Sequence, residues 1–156
     1  MSEAARSTFI YVTYIRTSAE KLWSALLKPE FTKQYWFGMH MASEWKAGAP
    51  WQLVFADGRI ADGGEVLEID PPRRLVVRWQ NEWRPELKAE GPANCMFELE
   101  PDGEIVKLTI THTSPHPDSK LIVAVSGGWP RIVSNLKSLL ETGKAMPNEM
   151  LKRDPQ

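Results

Sequence analysis

Cysteine is nearly absent: Cys95 is the one thiol in 156 residues. A single thiol excludes an intramolecular disulfide, so the fold must be held by its core, and a reducing compartment is the expected setting. An excess of basic charge is absent as well. Nineteen Lys and Arg against twenty Asp and Glu leave a net charge of −1. That removes the electrostatic case for nucleic acid or an anionic membrane surface, and Arg73-Arg74 is too short to serve as a basic patch. No apolar run approaches the ~20 residues that span a bilayer. Met1 to Ser7 carries no apolar signal core. The expectation is a cytoplasmic protein with neither membrane nor nucleic acid as partner.

Common catalytic signatures are missing too. There is no CxxC, no nucleophile elbow, no glycine-rich phosphate loop and no paired-carboxylate spacing, so no cofactor is expected. His112 and His116 stand four apart with Asp118 following. On a helix that spacing suits a metal, but Pro115 and Pro117 exclude a helix there and no further ligand cluster exists, so no metal is expected either.

What is present is aromatic and alternating. Seven tryptophans and 42% hydrophobic residues provide a real core, and the length suits one domain spanning 1–156, with a core over about 8–144 and a loosely ordered polar tail after Gly143. Thr8 to Arg16 is β-branched and aromatic and predicts a strand. Thr17 with Glu20 forms a capping-box pattern that opens a helix carrying Ala19, Leu22, Trp23, Leu26 and Leu27, which Pro29 ends; Glu30 to Tyr35 predicts a second short helix. The apolar connector Trp36 to Met41 either packs under these helices or forms a flap at a pocket mouth. Weak and strong strands follow at 41–45, 50–56, 65–70 and 75–80. They are punctuated by the Asp57-Gly58 turn, by Gly63-Gly64 as a candidate bulge, and by the rigid turn Asp70-Pro71-Pro72-Arg73. Asn81 to Pro92 reads as a loop. Cys95, Phe97 and Leu99 share one face of the next strand, and Val106, Leu108, Ile110 and His112 share one face of the last.

Ser119 to Ser126 is apolar and fits either a helical turn or a packed loop. From Gly127 to Gly143 the chain predicts a long amphipathic helix. Pro130 suits its first turn, Gly143 its left-handed stop, and Trp129, Ile132, Val133, Leu136, Leu139 and Leu140 its apolar stripe. The fold class is therefore α+β: a curved antiparallel sheet of about six to seven strands wrapped on a long C-terminal helix, with two short helices after the first strand.

The residues Thr17-Ser18-Ala19-Glu20-Lys21-Leu22-Trp23, Gly64 through Leu75, and Gly128-Trp129-Pro130 through Leu140-Glu141-Thr142-Gly143 resemble the helix-grip fold of the START-like, Bet v-like (SRPBCC) superfamily. More specifically they resemble bacterial proteins similar to the C-terminal domain of the activator of the ninety-kilodalton heat-shock-protein ATPase. The resemblance covers roughly residues 8–144. It implies binding of apolar small molecules and a possible stress-related role.

The candidate ligand site lies between sheet and helix. Its expected wall is Trp51, Phe55, Trp79 and Phe97 from the strands, His112 from the last strand, and Trp129, Val133 and Leu136 from the helix. Trp36, Phe37 and Met39 are expected near the entrance. The expected ligand is a hydrophobic or aromatic small molecule. An enzymatic alternative makes His112 the acid–base group, with Glu65 or Glu82. A third reading is a co-chaperone-like interaction module with an exposed patch. Counting back from an Asp102-Gly103 turn pairs Pro101 with Glu104 and Cys95 with Ile110, which sets Cys95 one diagonal step from His112 and disfavours a Cys–His dyad. No catalytic residue is assigned, and the sequence gives no oligomeric state.

Overall fold

The computed structural model describes residues 6–147; the tail expectation for 148–156 lies outside the described residues. The chain runs β1 (Ser7–Ile15), α1 (Ala19–Leu27), α2 (Pro29–Tyr35), β2 (His40–Ser43), β3 (Pro50–Val54), β4 (Ile60–Asp70), β5 (Arg74–Asn81), α3 (Pro85–Glu90), β6 (Ala93–Asp102), β7 (Ile105–Ser114) and α4 (Lys120–Thr142). The strands form one antiparallel sheet in the order β1-β7-β6-β5-β4-β3-β2. The insertion of α1 and α2 after β1 sends β1 and β2 to opposite edges. The helix α4 lies across the inner face, where Trp79, Phe97, Ile110 and His112 meet Trp129, Ile132, Val133 and Leu136 in one buried cluster.

Local chemistry explains most boundaries. Ser18, one residue after the expected cap, opens α1 by accepting from the Lys21 N–H at 3.2 Å. Pro29 sits at the start of α2, where its missing donor costs nothing. Strand β4 is longer than expected: it begins at Ile60 and runs through Gly63-Gly64, with register shifts on either side, at Leu53/Val54 and Val66/Glu68. The glycine at 64 is required by its neighbour. The Trp51 indole passes over it to donate to the Arg78 carbonyl at 2.9 Å, and a Cβ at Gly64 would stand 1.9 Å from that same oxygen. Between β5 and β6, where a loop was expected, residues Pro85–Glu90 form a single short helix. The Asn81 side chain sets it up by accepting the backbone N–H groups of Trp83 and Arg84.

The long helix starts seven residues before Gly127, at Lys120. Ser119 caps it, accepting from the Ile122 N–H at 3.1 Å, so of the two readings of Ser119–Ser126 the helical one holds, as the first turns of the long helix, and Pro130 lies inside it. An interior proline costs roughly 3 kcal/mol. The stripe Leu121, Ile122, Val125, Trp129, Ile132, all buried, continues at helical spacing straight through it, and burying five such side chains outweighs that cost. Gly143 ends the helix at φ +83° as its position predicts.

The β6–β7 hairpin turns one residue later than the counted register. Asp102 pairs with Ile105, leaving Gly103 and Glu104 as the two turn residues, with Gly103 at φ +64° in the first central position. That is the place a type II′ turn reserves for glycine. Every pair shifts accordingly, and Cys95 stands directly opposite His112.

Candidate functional site

Three tryptophans meet where α4 crosses the sheet. Trp36 follows α2, Trp79 is on β5 and Trp129 is on α4. Their ring centroids lie 6.3 Å (Trp36–Trp79), 5.5 Å (Trp36–Trp129) and 5.7 Å (Trp79–Trp129) apart, and all three are buried. A buried indole needs an acceptor for its N–H. Trp79 Nε1 donates to Asp62 Oδ1 at 3.0 Å, and Trp129 Nε1 donates to His112 Nδ1 at 3.1 Å. The two least expected buried polar groups of the interior are thus the anchors of this aromatic wall.

The wall divides the interior. On one side lies a cavity of about 200 Å³. Its floor is Leu53, Ala61 and Asp62; its roof is Leu121, Ala124, Val125 and Gly128 of α4; Leu87 of α3 closes one flank. Its mouth is formed by the partly exposed Phe37, Met39 and Phe55 together with Trp83, which is 41% exposed. Phe55 and Trp83 meet edge to face at 5.7 Å. Phe37 is held at φ +55°, a left-handed conformation that non-glycine residues adopt at some cost. On the other side of the wall the remaining gap is about 20 Å³, enough for one water and no more.

The sequence-predicted residues divide between the two sides. Trp36, Phe37, Met39, Phe55, Trp79 and Trp129 line the cavity. Trp51, Phe97, Val133 and Leu136 surround the filled side. His112 is fully buried behind Trp79 and Trp129 and does not line the cavity. Because its Nδ1 accepts from Trp129, the proton of the neutral ring sits on Nε2, which has no hydrogen-bond partner among the described residues. Burial lowers its pKa to about 3, so the ring is neutral at any physiological pH. Cys95, its cross-strand partner, is buried, and desolvation raises its pKa well above the usual thiol range. Facing each other, the two form no ionised pair. Neither glutamate joins His112: Glu65 pairs with Arg78 at 2.8 Å and Glu82 with Lys88 at 3.0 Å, each with a partly exposed carboxylate. His116 lies beyond β7, with its Nε2 2.8 Å from the Glu90 carbonyl. Among the described residues no cluster of metal-binding side chains occurs.

Asp62 is the site residue that sequence reading missed. It is 8% exposed and sits on the cavity wall. Its Oδ1 accepts from both Trp79 and the Asn81 side-chain amide, at 3.0 and 3.2 Å. Burial drives its pKa up to about 7, opposed by those two hydrogen bonds and aided by the nearby charge of Glu82. A strand read from Glu65 leaves Asp62 in the turn before it. The signal was there: Asp62, Gly64 and Val66 share a face by alternation, and Val66 is an obvious core residue.

A curved antiparallel sheet gripping a long C-terminal helix, with a cavity between them, is the architecture of the START-like, Bet v 1-like (SRPBCC) superfamily. Within it the chain belongs to the family described as Activator of Hsp90 ATPase homolog 1-like protein, whose model matches residues 16–141. The fold is shared with the protein MLL2253 from Mesorhizobium loti (23% identity, TM-score 0.74, 86% of this chain and 97% of that one). It is shared with CalU16 from Micromonospora echinospora (18%, TM-score 0.70, 87% and 77%). It is also shared with PFC0360w, an HSP90 activator from Plasmodium falciparum (19%, TM-score 0.70, 85% and 95%). No curated protein sequence matches the chain. Among the described residues no helix is long and apolar enough to cross a membrane.

Proposed function

We propose that the protein binds a small hydrophobic, ring-bearing molecule in the cavity between β4, β5, α3 and the first half of α4. The observation that carries this reading is the cavity itself: about 200 Å³, walled by aromatic and aliphatic side chains, with one buried carboxyl. A void of this size costs up to about 5 kcal/mol at about 24 cal/mol/Å³, a large share of a domain's stability. Ala124 and Gly128, both on its roof, keep it open where larger side chains would fill it. A 150 Å³ apolar cavity takes benzene, so this one suits a substituted single ring or a bicyclic molecule. Burying ~300 Å² of apolar ligand surface yields about 7 kcal/mol gross at about 25 cal/mol/Å². After the cost of association, micromolar affinity is expected. A thermal-shift screen of an apolar library tests this: several bicyclic hits are expected, and no shift from any member contradicts it.

A second reading rests on a different observation. Ile10, Val12 and Tyr14 stand 60%, 43% and 50% exposed in a row on the outer face of the edge strand β1. Given the family, this row is a candidate contact for a heat-shock chaperone in the cytoplasm. Stimulation of the chaperone ATPase that is lost in Ile10→Lys supports it; an unchanged ATPase rate removes it. The acid–base reading of His112 has no support in the geometry, because the ring does not face the cavity.

A further inference from the structure

Resting on the cavity reading, we infer that Asp62 is the polar anchor of the ligand, and that the ligand is an uncharged ring compound presenting one acceptor oxygen, such as a ketone carbonyl, to the Asp62 carboxylic acid.

The inference follows from which oxygen is occupied. Oδ1 takes both available donors, Trp79 Nε1 and Asn81 Nδ2. The hydrogen bonds of this carboxyl all fall on Oδ1, and the 8% of Asp62 that stays exposed lies on the cavity wall. A proton on this acid therefore sits on Oδ2, where it becomes a donor facing an apolar cavity. No other side chain of the wall can accept it: Asn81 Oδ1 already accepts two backbone N–H groups, and the remaining polar liner, Arg131, is a donor. An entering carbonyl oxygen gives that donor an acceptor inside the apolar cavity.

The charged surroundings point the same way. Glu82 beside Asp62 favours the neutral acid. Leu53, the cross-strand neighbour from β3, carries no charge.

Three matched probes separate the possibilities: 1-tetralone, tetralin and 1-aminotetralin, titrated by calorimetry into the whole protein from pH 6 to pH 8.5. At pH 6, 1-tetralone is expected to bind about tenfold tighter than tetralin. Its advantage is expected to shrink to about twofold or less by pH 8.5, as the acid loses its proton. Asp62→Asn keeps a donor at the Oδ2 position, so it should retain the preference for tetralone and lose its pH dependence. Asp62→Leu should bind tetralone and tetralin alike; should that variant fail to fold by circular dichroism, the flattened profile of Asp62→Asn still decides. Equal affinity of wild type for tetralone and tetralin overturns the anchor while leaving the cavity reading intact. Tightest binding of 1-aminotetralin, strengthening as pH rises, overturns it in favour of a carboxylate partner. Binding of none of the three overturns the cavity reading and this inference with it.

Discussion

The two ends of the interface between α4 and the sheet are closed in opposite ways. Beyond Trp129 towards Gly143, Val133 and Leu136 meet Phe97, Ile110 and Trp51, with α1 and α2 stacked behind, and a gap of about 20 Å³ remains. Before Trp129 towards Ser119, the helix presents Ala124, Val125 and Gly128, and a space of about 200 Å³ opens beneath them. Both ends are apolar and both face the same sheet. The difference lies in side-chain size on the helix and in what lies behind: two helices at the filled end, the single turn and a half of α3 at the other. An apolar face thus specifies burial but not filling, and the small residues of the first half of α4 mark the end left open.

The partition that separates the ends is the place to break this comparison. Trp129→Ala is expected to destabilise the fold by about 3–5 kcal/mol, merge the two spaces and leave His112 Nδ1 without its donor; denaturant unfolding reads it. The ends themselves should respond oppositely to added bulk. Val133→Phe enters the filled end and is expected to cost about 2–3 kcal/mol. Ala124→Trp enters the cavity and is expected to change stability by less than about 1 kcal/mol. Similar costs for the two would mean that the cavity is not available space.

Two buried titratable groups are hydrogen-bonded to the partition, Asp62 to Trp79 and His112 to Trp129, and their pH slopes are opposed. The His112 pKa falls to about 3 on folding, so the unfolded chain binds its proton first, and stability is lost as pH falls from about 6.5 towards 3. The Asp62 pKa rises to about 7, so the folded state holds its proton longer, and stability is lost as pH rises from about 4 through 7. Between about pH 4 and 6.5 the two slopes offset each other. Asp62→Asn is therefore expected to be more stable than wild type by roughly 4 kcal/mol at pH 8 and nearly equal to it below pH 4. His112→Gln, which keeps an acceptor for Trp129, is expected to lose less stability than wild type between pH 6 and 3.5, by about 3 kcal/mol. Thermal unfolding across pH resolves both, and a wild-type profile that Asp62→Asn leaves unchanged would contradict the burial of that acid.

Much of the frame was legible because its signals are local. Alternation gave the inward faces of β5, β6 and β7; Asp57-Gly58 and Gly143 marked their turn and helix end; the stripe from Trp129 to Leu139 gave the second half of α4. The misreadings came where a local rule met a longer-range one. Pro130 signals a helix start, yet continuous burial from Leu121 onward carries the helix through it. Asp102-Gly103 signals a turn, yet the turn falls on Gly103-Glu104 and moves Cys95 opposite His112. Gly63-Gly64 signals a bulge, and register shifts flank it, yet the strand does not start after it: it runs through the pair, where Gly64 serves the crossing of Trp51 to Arg78, and places Asp62. His112 was legible as inward but not as hidden, since alternation fixes a face and not what Trp79 and Trp129 put in front of it.

Calorimetric titration of naphthalene into wild type and Ala124→Trp decides whether the space before Trp129 takes a ligand. Saturable one-to-one binding near micromolar affinity is expected for wild type, and none for the folded variant. No binding by wild type, or equal binding by both proteins, would contradict the claim that the space before Trp129 is a built ligand site.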